Sequence, residues 1–75
     1  MKFIEMSGAT LETIINDGEL HGQDLDSAGV KKDSIVRVNQ QGDIEVRQAH
    51  KWAVIGGLLG NFEERIKQTT GFDWA

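Results

Sequence analysis

The chain has 75 residues, no cysteine and a formal net charge of −4, from 12 acidic and 8 basic residues. This length suits one small domain, expected over residues 1–75. The composition excludes disulfides and thiolate zinc sites and argues against bulk affinity for nucleic acids or anionic membranes. Because there is neither a signal-peptide h-region nor an apolar run of about 18 residues, we expect a cytoplasmic protein that does not associate with membranes.

The N-terminal segment is predicted to be a short strand over residues 2–6, covered on both faces or central in a sheet, because Phe3 and Ile4 are both apolar. A short helix follows, in which Thr10 is the expected N-cap and Gly18 the stop. Its apolar stripe contains Leu11, Ile14 and Ile15. Because this segment is so short, a strand through residues 13–15 is the alternative, and residues 10–17 are left open between helix and strand.

A second short helix is predicted between Glu19 and Ala28. Gly29 stands where a left-handed C-cap is expected, because glycine has no Cβ to oppose a positive φ. Val30 would then cover the end of this helix.

Residues 34–48 predict a β-hairpin whose register follows from its turn. Residues 39–42 fit a type I turn with a left-handed last residue, and Gly42 supplies the positive φ. This register places a set of apolar residues on one face: Val36, Val38, Ile44 and Val46. Arg37 and Glu45 form an opposite-charge pair on the other face, whereas a two-residue loop would mix the faces and is rejected.

A third strand is predicted at residues 51–55, completing a three-stranded antiparallel meander over about residues 34–39, 43–48 and 51–55. The two faces of this third strand carry Trp52 and Val54 on one side and Ala53 and Ile55 on the other. With the N-terminal strand and the helices, the meander makes an α+β fold.

The last predicted element is a helix over about residues 58–70, packed on the meander and closed by Gly71. Asn61 and Glu64 have the spacing of a capping box, so the regular helix could instead begin at Phe62. The apolar stripe expected on one side of this helix contains Leu58, Leu59, Phe62 and Ile66. We expect its last three members to face the valine side of the hairpin.

Motifs for catalysis, cofactors or metals do not rise above chance. The strongest metal-like cluster is Asp17, Glu19, His21, Asp24 and Asp26. It does not follow the EF-hand spacing, so a solvated acidic face is the preferred interpretation. The glycine-rich segment at residues 56–61 lacks the lysine of a P-loop. We therefore expect no enzymatic activity, no cofactor and no metal site.

Five basic residues form a candidate nucleic-acid surface: Lys31, Lys32, Arg37, Arg47 and Lys51. They could converge on the polar face of the hairpin, because a two-stranded ribbon can enter a major groove. The pattern Val-x-Val-x-x-x-Gly-x-Ile-x-Val, over residues 36–46, resembles the swapped-hairpin transcription factors of the AbrB type. Gly42-Asp43 and Arg47-Gln48 replace the Gly-Arg pair and the proline expected there, so the chain is not assigned to that family.

The function that the sequence favours is a non-enzymatic protein-interaction module: an accessory subunit, regulatory adaptor or antitoxin-like partner. Nucleic-acid binding is the alternative. The favoured hypothesis rests on small size, an exposed strand edge and an aromatic C-terminal segment. Its candidate partner surface is Leu58, Phe72 and Trp74, unless the two aromatic residues fold back into the core. The expected partner is another protein or a second copy of this chain.

Overall fold

The structure, a computed structural model, describes residues 2–15, 22–72 and 74, and only the backbone of residues 22–24. Its elements are β1 (Phe3–Ser7), α1 (Gly8–Ile14), α2 (Gly22–Ser27), β2 (Ile35–Asn39), β3 (Asp43–Gln48), β4 (Lys51–Gly57) and α3 (Phe62–Thr70). The α+β class predicted from the sequence is confirmed.

All four strands form one antiparallel sheet in the order β1-β2-β3-β4. The predicted three-stranded meander is therefore extended by β1, which pairs with β2 so that Glu5 lies opposite Arg37. The expectation of a central or doubly covered N-terminal strand is wrong, because β1 is an edge strand. The two adjacent apolar residues of β1 lie on opposite faces of the sheet. Ile4 is buried, whereas Phe3 is half-buried on the other face.

The predicted hairpin register is confirmed. The opposed residues are Val36 with Val46, Arg37 with Glu45 and Val38 with Ile44. In the turn, the amide of Gly42 donates to the carbonyl of Asn39 at 3.0 Å, and Gly42 has a φ of 90°. The Asn39 side-chain oxygen accepts from the amides of Gln41 and Asp43 at 2.9 and 3.0 Å, and its Nδ2 donates to Asp43 Oδ2 at 3.1 Å. These bonds explain how this polar side chain is buried.

Gly42→Val should lower the free energy of unfolding by about 3 kcal/mol. A left-handed conformation costs an L-residue about 1–2 kcal/mol, and the new Cβ would lie 2.9 Å from the Leu58 carbonyl oxygen and 3.1 Å from the Phe62 ring. Gly60→Val is the matched control, because Gly60 has a φ of 68° but no atom within 4 Å of the added Cβ. Urea denaturation of both variants separates the cost of the left-handed conformation from the cost of the collision with Leu58 and Phe62. Equal losses of unfolding free energy in the two variants would contradict a collision at Gly42.

The predicted third strand is longer than expected, because β4 continues to Gly57. Glu45 faces Val54 whereas Ile44 faces Gly56, so Ile55 is the extra residue of a β-bulge. The predicted faces are confirmed, since Ala53 and Ile55 pack against the core.

Ala49, in the two-residue connection between β3 and β4, has a φ of 52°. Ala49→Gly should raise the free energy of unfolding by up to about 1 kcal/mol, because relief of the left-handed strain exceeds the entropy that glycine loses on folding. Thermal denaturation measures the change in melting temperature. Ala28→Gly is the control, because Ala28 does not have a positive φ. A lower melting temperature for Ala49→Gly would contradict it.

The sequence leaves residues 10–17 open between helix and strand, and the structure shows helix α1 as far as Ile14. Its N-cap is Ser7 rather than the predicted Thr10, because the Ser7 hydroxyl accepts from the Thr10 amide at 3.1 Å. The helix begins directly after β1 at Gly8, where a Cβ would collide with the carbonyl oxygen of Lys31. The predicted stop, Gly18, lies outside the described residues.

Helix α2 ends as the sequence predicts. Gly29 has a φ of 80°, its amide donates to Asp26, and the amide of Val30 donates to Leu25 at 2.8 Å. This pair of bonds is a Schellman motif, in which the residue after the glycine covers the helix end. Val30 and Leu25 are both buried.

Helix α3 begins at Phe62, so the predicted start at residue 58 is wrong and the alternative start is correct. The amide of Leu58 instead donates to the carbonyl of Gly42 at 2.8 Å, which holds the chain outside the helix. The predicted capping box is not formed, because the Asn61 side chain makes no cap hydrogen bond. Gly71 ends the helix with a φ of 79°, as expected.

The core lies between one face of the sheet and the three helices. Its strand residues are Ile4, Met6, Val36, Val38, Ile44 and Val46, and its other members are Leu11, Ile14, Leu25, Val30, Leu58, Phe62, Ile66 and Trp74. Leu59, expected to face the sheet, is 66% exposed, because it precedes α3 and does not follow its periodicity. No described element covers the other face of the sheet.

Candidate protein-interaction surfaces

The three predicted partner residues do not form one surface. Leu58 and Trp74 are buried, and the indole Nε1 of Trp74 donates to the Val38 carbonyl at 3.0 Å. The Trp74 ring also makes an edge-to-face contact with Phe62, with 6.0 Å between centroids. Leu58 and Trp74 are therefore core residues. Phe72 alone is accessible, with 63% of its surface exposed.

Phe72 lies beside the free edge of the sheet. A groove of about 260 Å³ is lined by Phe3, Ile4, Glu5 and Phe72, so three of its four residues belong to β1. The left-handed Gly71 turns the chain out of α3, and the Phe72 amide donates to the Thr70 hydroxyl at 3.1 Å. These two features hold an exposed aromatic ring next to β1, which pairs with β2 and with no other strand in the part of the chain that the structure describes.

The uncovered face of the sheet carries a stack of three side chains. The guanidinium carbon of Arg37 lies 3.7 Å from the ring centroid of Phe3 and 4.1 Å from that of Trp52. Arg37 also donates to Glu45 from Nη2 at 2.8 Å and from Nε at 3.1 Å. The stack therefore links all four strands through one cation, whose charge is already paired with a carboxylate.

The predicted convergence of five basic residues does not occur. Strand alternation places Arg37 and Arg47 on the uncovered face and Lys51 on the helix side. Lys31 and Lys32 lie outside the strands and line a different groove, together with Glu12 and Asp26. The uncovered face also carries Glu5, Asp43 and Glu45, so it is not basic.

Most of the predicted metal-like cluster, Asp17, Glu19, His21 and the Asp24 side chain, lies outside the described residues. Asp26 is described and is exposed. Within the described ranges, no group of three or more His, Cys, Asp or Glu side chains is arranged to hold a metal ion. In that same part of the chain, no helix combines the length and apolar character needed to cross a membrane.

Sequence reasoning missed the contact of Trp52 with Arg37 and two further residues of these surfaces, Phe3 and Glu5. The alternation over residues 2–6 places them on one face of a strand, but it does not indicate which strand they neighbour. In comparisons with known proteins, no family model matches the chain, and no curated protein or solved structure is significantly similar to it.

Proposed function

We propose that this chain is a non-enzymatic protein-interaction module that binds an extended segment of a partner protein along the free edge of β1. The observation that carries the proposal is the exposed ring of Phe72 beside the groove at that edge. We place this interaction in the cytoplasm, as the sequence predicts.

The physical basis is strand addition. An edge strand presents unpaired N–H and C=O groups that an extended peptide can pair with, while side-chain sites beside the edge give specificity. Here Phe72 offers an apolar contact for one peptide side chain. Glu5, which is exposed on β1, favours a basic residue opposite it, because opposite-charge cross-strand pairs are stabilising.

Selection of binders from a random-peptide library, followed by titration of synthetic peptides, tests the proposal. We expect selected peptides to carry an apolar residue and a nearby Lys or Arg, and Phe72→Ala to weaken their binding at least about tenfold, equivalent to about 1.4 kcal/mol. Leu59→Ala is the matched control, because Leu59 is similarly exposed but does not line the β1 groove. Glu5→Lys should shift the selection towards acidic residues.

Absence of any binder, or binders that lose equal affinity with Leu59→Ala and Phe72→Ala, would contradict the proposal. Amide hydrogen exchange locates the peptide-binding site. Pairing of the peptide with β1 should slow amide exchange within β1 and leave exchange within β4 unchanged.

Nucleic-acid binding remains the alternative prediction and has a direct test. Because phosphate contacts dominate such binding, affinity for duplex DNA or RNA at about 50 mM salt should fall steeply as salt increases. Neutralising Lys31, Lys32 and Arg47 should weaken it equally for all sequences. No binding at the lowest salt would remove this alternative.

A further inference from the structure

The second edge of the sheet differs from the first in its protection against pairing. Edge strands that stay single usually carry a charge, a proline or a β-bulge within the strand. The bulge of β4 lies at Ile55, after the regular part of the strand. β1 has Glu5 at its centre, whereas β4 has no charged residue and no proline from Trp52 to Gly57. Val54, at the middle of β4, is 68% exposed, so this edge is apolar as well as uncharged.

We propose that β4 pairs antiparallel with β4 of a second copy of this chain, with the two-fold axis at Ala53. Residues directly opposite each other in an antiparallel pair have their side chains on the same face of the sheet. The two-fold axis must therefore lie at one residue position, where that residue faces its own copy, and not between two successive positions. An axis at Ala53 pairs Lys51 with Ile55 of the second copy. Ile55, the bulge residue, is thus reached only at the end of the pairing, and residues 52–54 belong to the regular part of β4. An axis at Val54 would instead extend the pairing across the bulge to Gly56 and Gly57.

This register covers the exposed valine. Trp52 of each copy faces Val54 of the other on the uncovered side of the joined sheet, which gives two aromatic–β-branched cross-strand pairs of a stabilising kind. On the helix side, Ala53 faces Ala53, so the small side chain at the axis allows close approach of the two strands.

The charges favour β4 over β1 as the self-pairing edge. The β4 pairing sets no like charges opposite each other, since Lys51 is the only charged residue of the strand and faces an isoleucine. A two-fold pairing of β1 about its centre would oppose Glu5 with Glu5, which is destabilising. Pairing of β4 with β1 of another copy would leave free edges and give an open chain instead of a closed dimer.

Disulfide crosslinking tests the register cleanly, because the chain has no cysteine. In Ala53→Cys the two thiols face each other at the axis, and opposed Cα atoms about 4.5–5.5 Å apart fall within the disulfide range. We expect oxidation to crosslink Ala53→Cys into a dimer at least about ten times faster than Val54→Cys. Random collision predicts the reverse, because Val54 is the more exposed position. Equal rates, faster crosslinking of Val54→Cys, or none in either variant would overturn the proposal.

Sedimentation equilibrium supplies an independent measurement. The wild-type chain should be a concentration-dependent dimer, and Val54→Lys should be a monomer with an unchanged far-UV spectrum. Ile35→Lys is the matched control, because Ile35 is 54% exposed on the same face but lies on an internal strand, and it should remain dimeric. A monomeric wild type, or equal dissociation of both variants, would overturn the proposal. If Val54→Lys does not fold, the crosslinking rates decide, because both cysteine substitutions are small.

Discussion

Phe62→Ala is expected to lower the free energy of unfolding by about 3–5 kcal/mol. Phe62 is buried in the first turn of α3, with its ring against Trp74 and close to Gly42. Truncation would remove apolar burial and leave a cavity that joins the hairpin turn to the C-terminal segment. A domain of this size has a total stability of only about 5–15 kcal/mol, so the variant should be partly unfolded at moderate urea concentrations.

Glu63→Ala is the matched control, because Glu63 is the next residue of the same helix and is exposed. Its effect should stay within about 0.5 kcal/mol, as is usual for surface positions. Urea denaturation of both variants measures the difference. Similar small losses would mean that α3 is peripheral to the core, and its apolar residues would then be candidates for binding a partner.

The hairpin could be predicted to the residue because its determinants are local. Gly42 fixes the turn, and the turn fixes the pairing of Val36 with Val46. The same holds for Gly29 and Gly71, whose positive φ values end two helices. In each case the controlling interaction lies within a few residues of the glycine, so the sequence pattern contains the information.

The missed features depend on contacts between distant parts of the chain. The start of α3 is set by the hydrogen bond from the Leu58 amide to Gly42, which no helical periodicity reveals. The edge position of β1 depends on its pairing with β2, a strand far along the chain. For the same reason the Arg37 stack was missed, because its rings come from the first and last strands of the sheet.

The candidate site was predicted only in part for a related reason. Phe72 and Trp74 are two positions apart in an aromatic segment, and composition alone treats them alike. The structure separates them, because the turn at Gly71 directs Phe72 outward whereas the Trp74 indole reaches the Val38 carbonyl. The part of the predicted surface that remains accessible therefore lies beside β1.

Trp74→Ala is expected to lower the free energy of unfolding by about 3–5 kcal/mol, a large effect for a residue next to the end of this sequence. Trp74 is buried, and its indole both packs against Phe62 and donates to Val38. Trp74→Phe keeps much of the apolar area but loses the hydrogen bond, so it should cost about 1–3 kcal/mol. Phe72→Ala is the control and should stay within about 0.5 kcal/mol, because its ring is exposed. Urea denaturation of the three variants ranks them by their loss of unfolding free energy. A harmless Trp74→Ala together with a costly Phe72→Ala would mean that the two rings have exchanged roles, and Trp74 would then be the residue available to a partner.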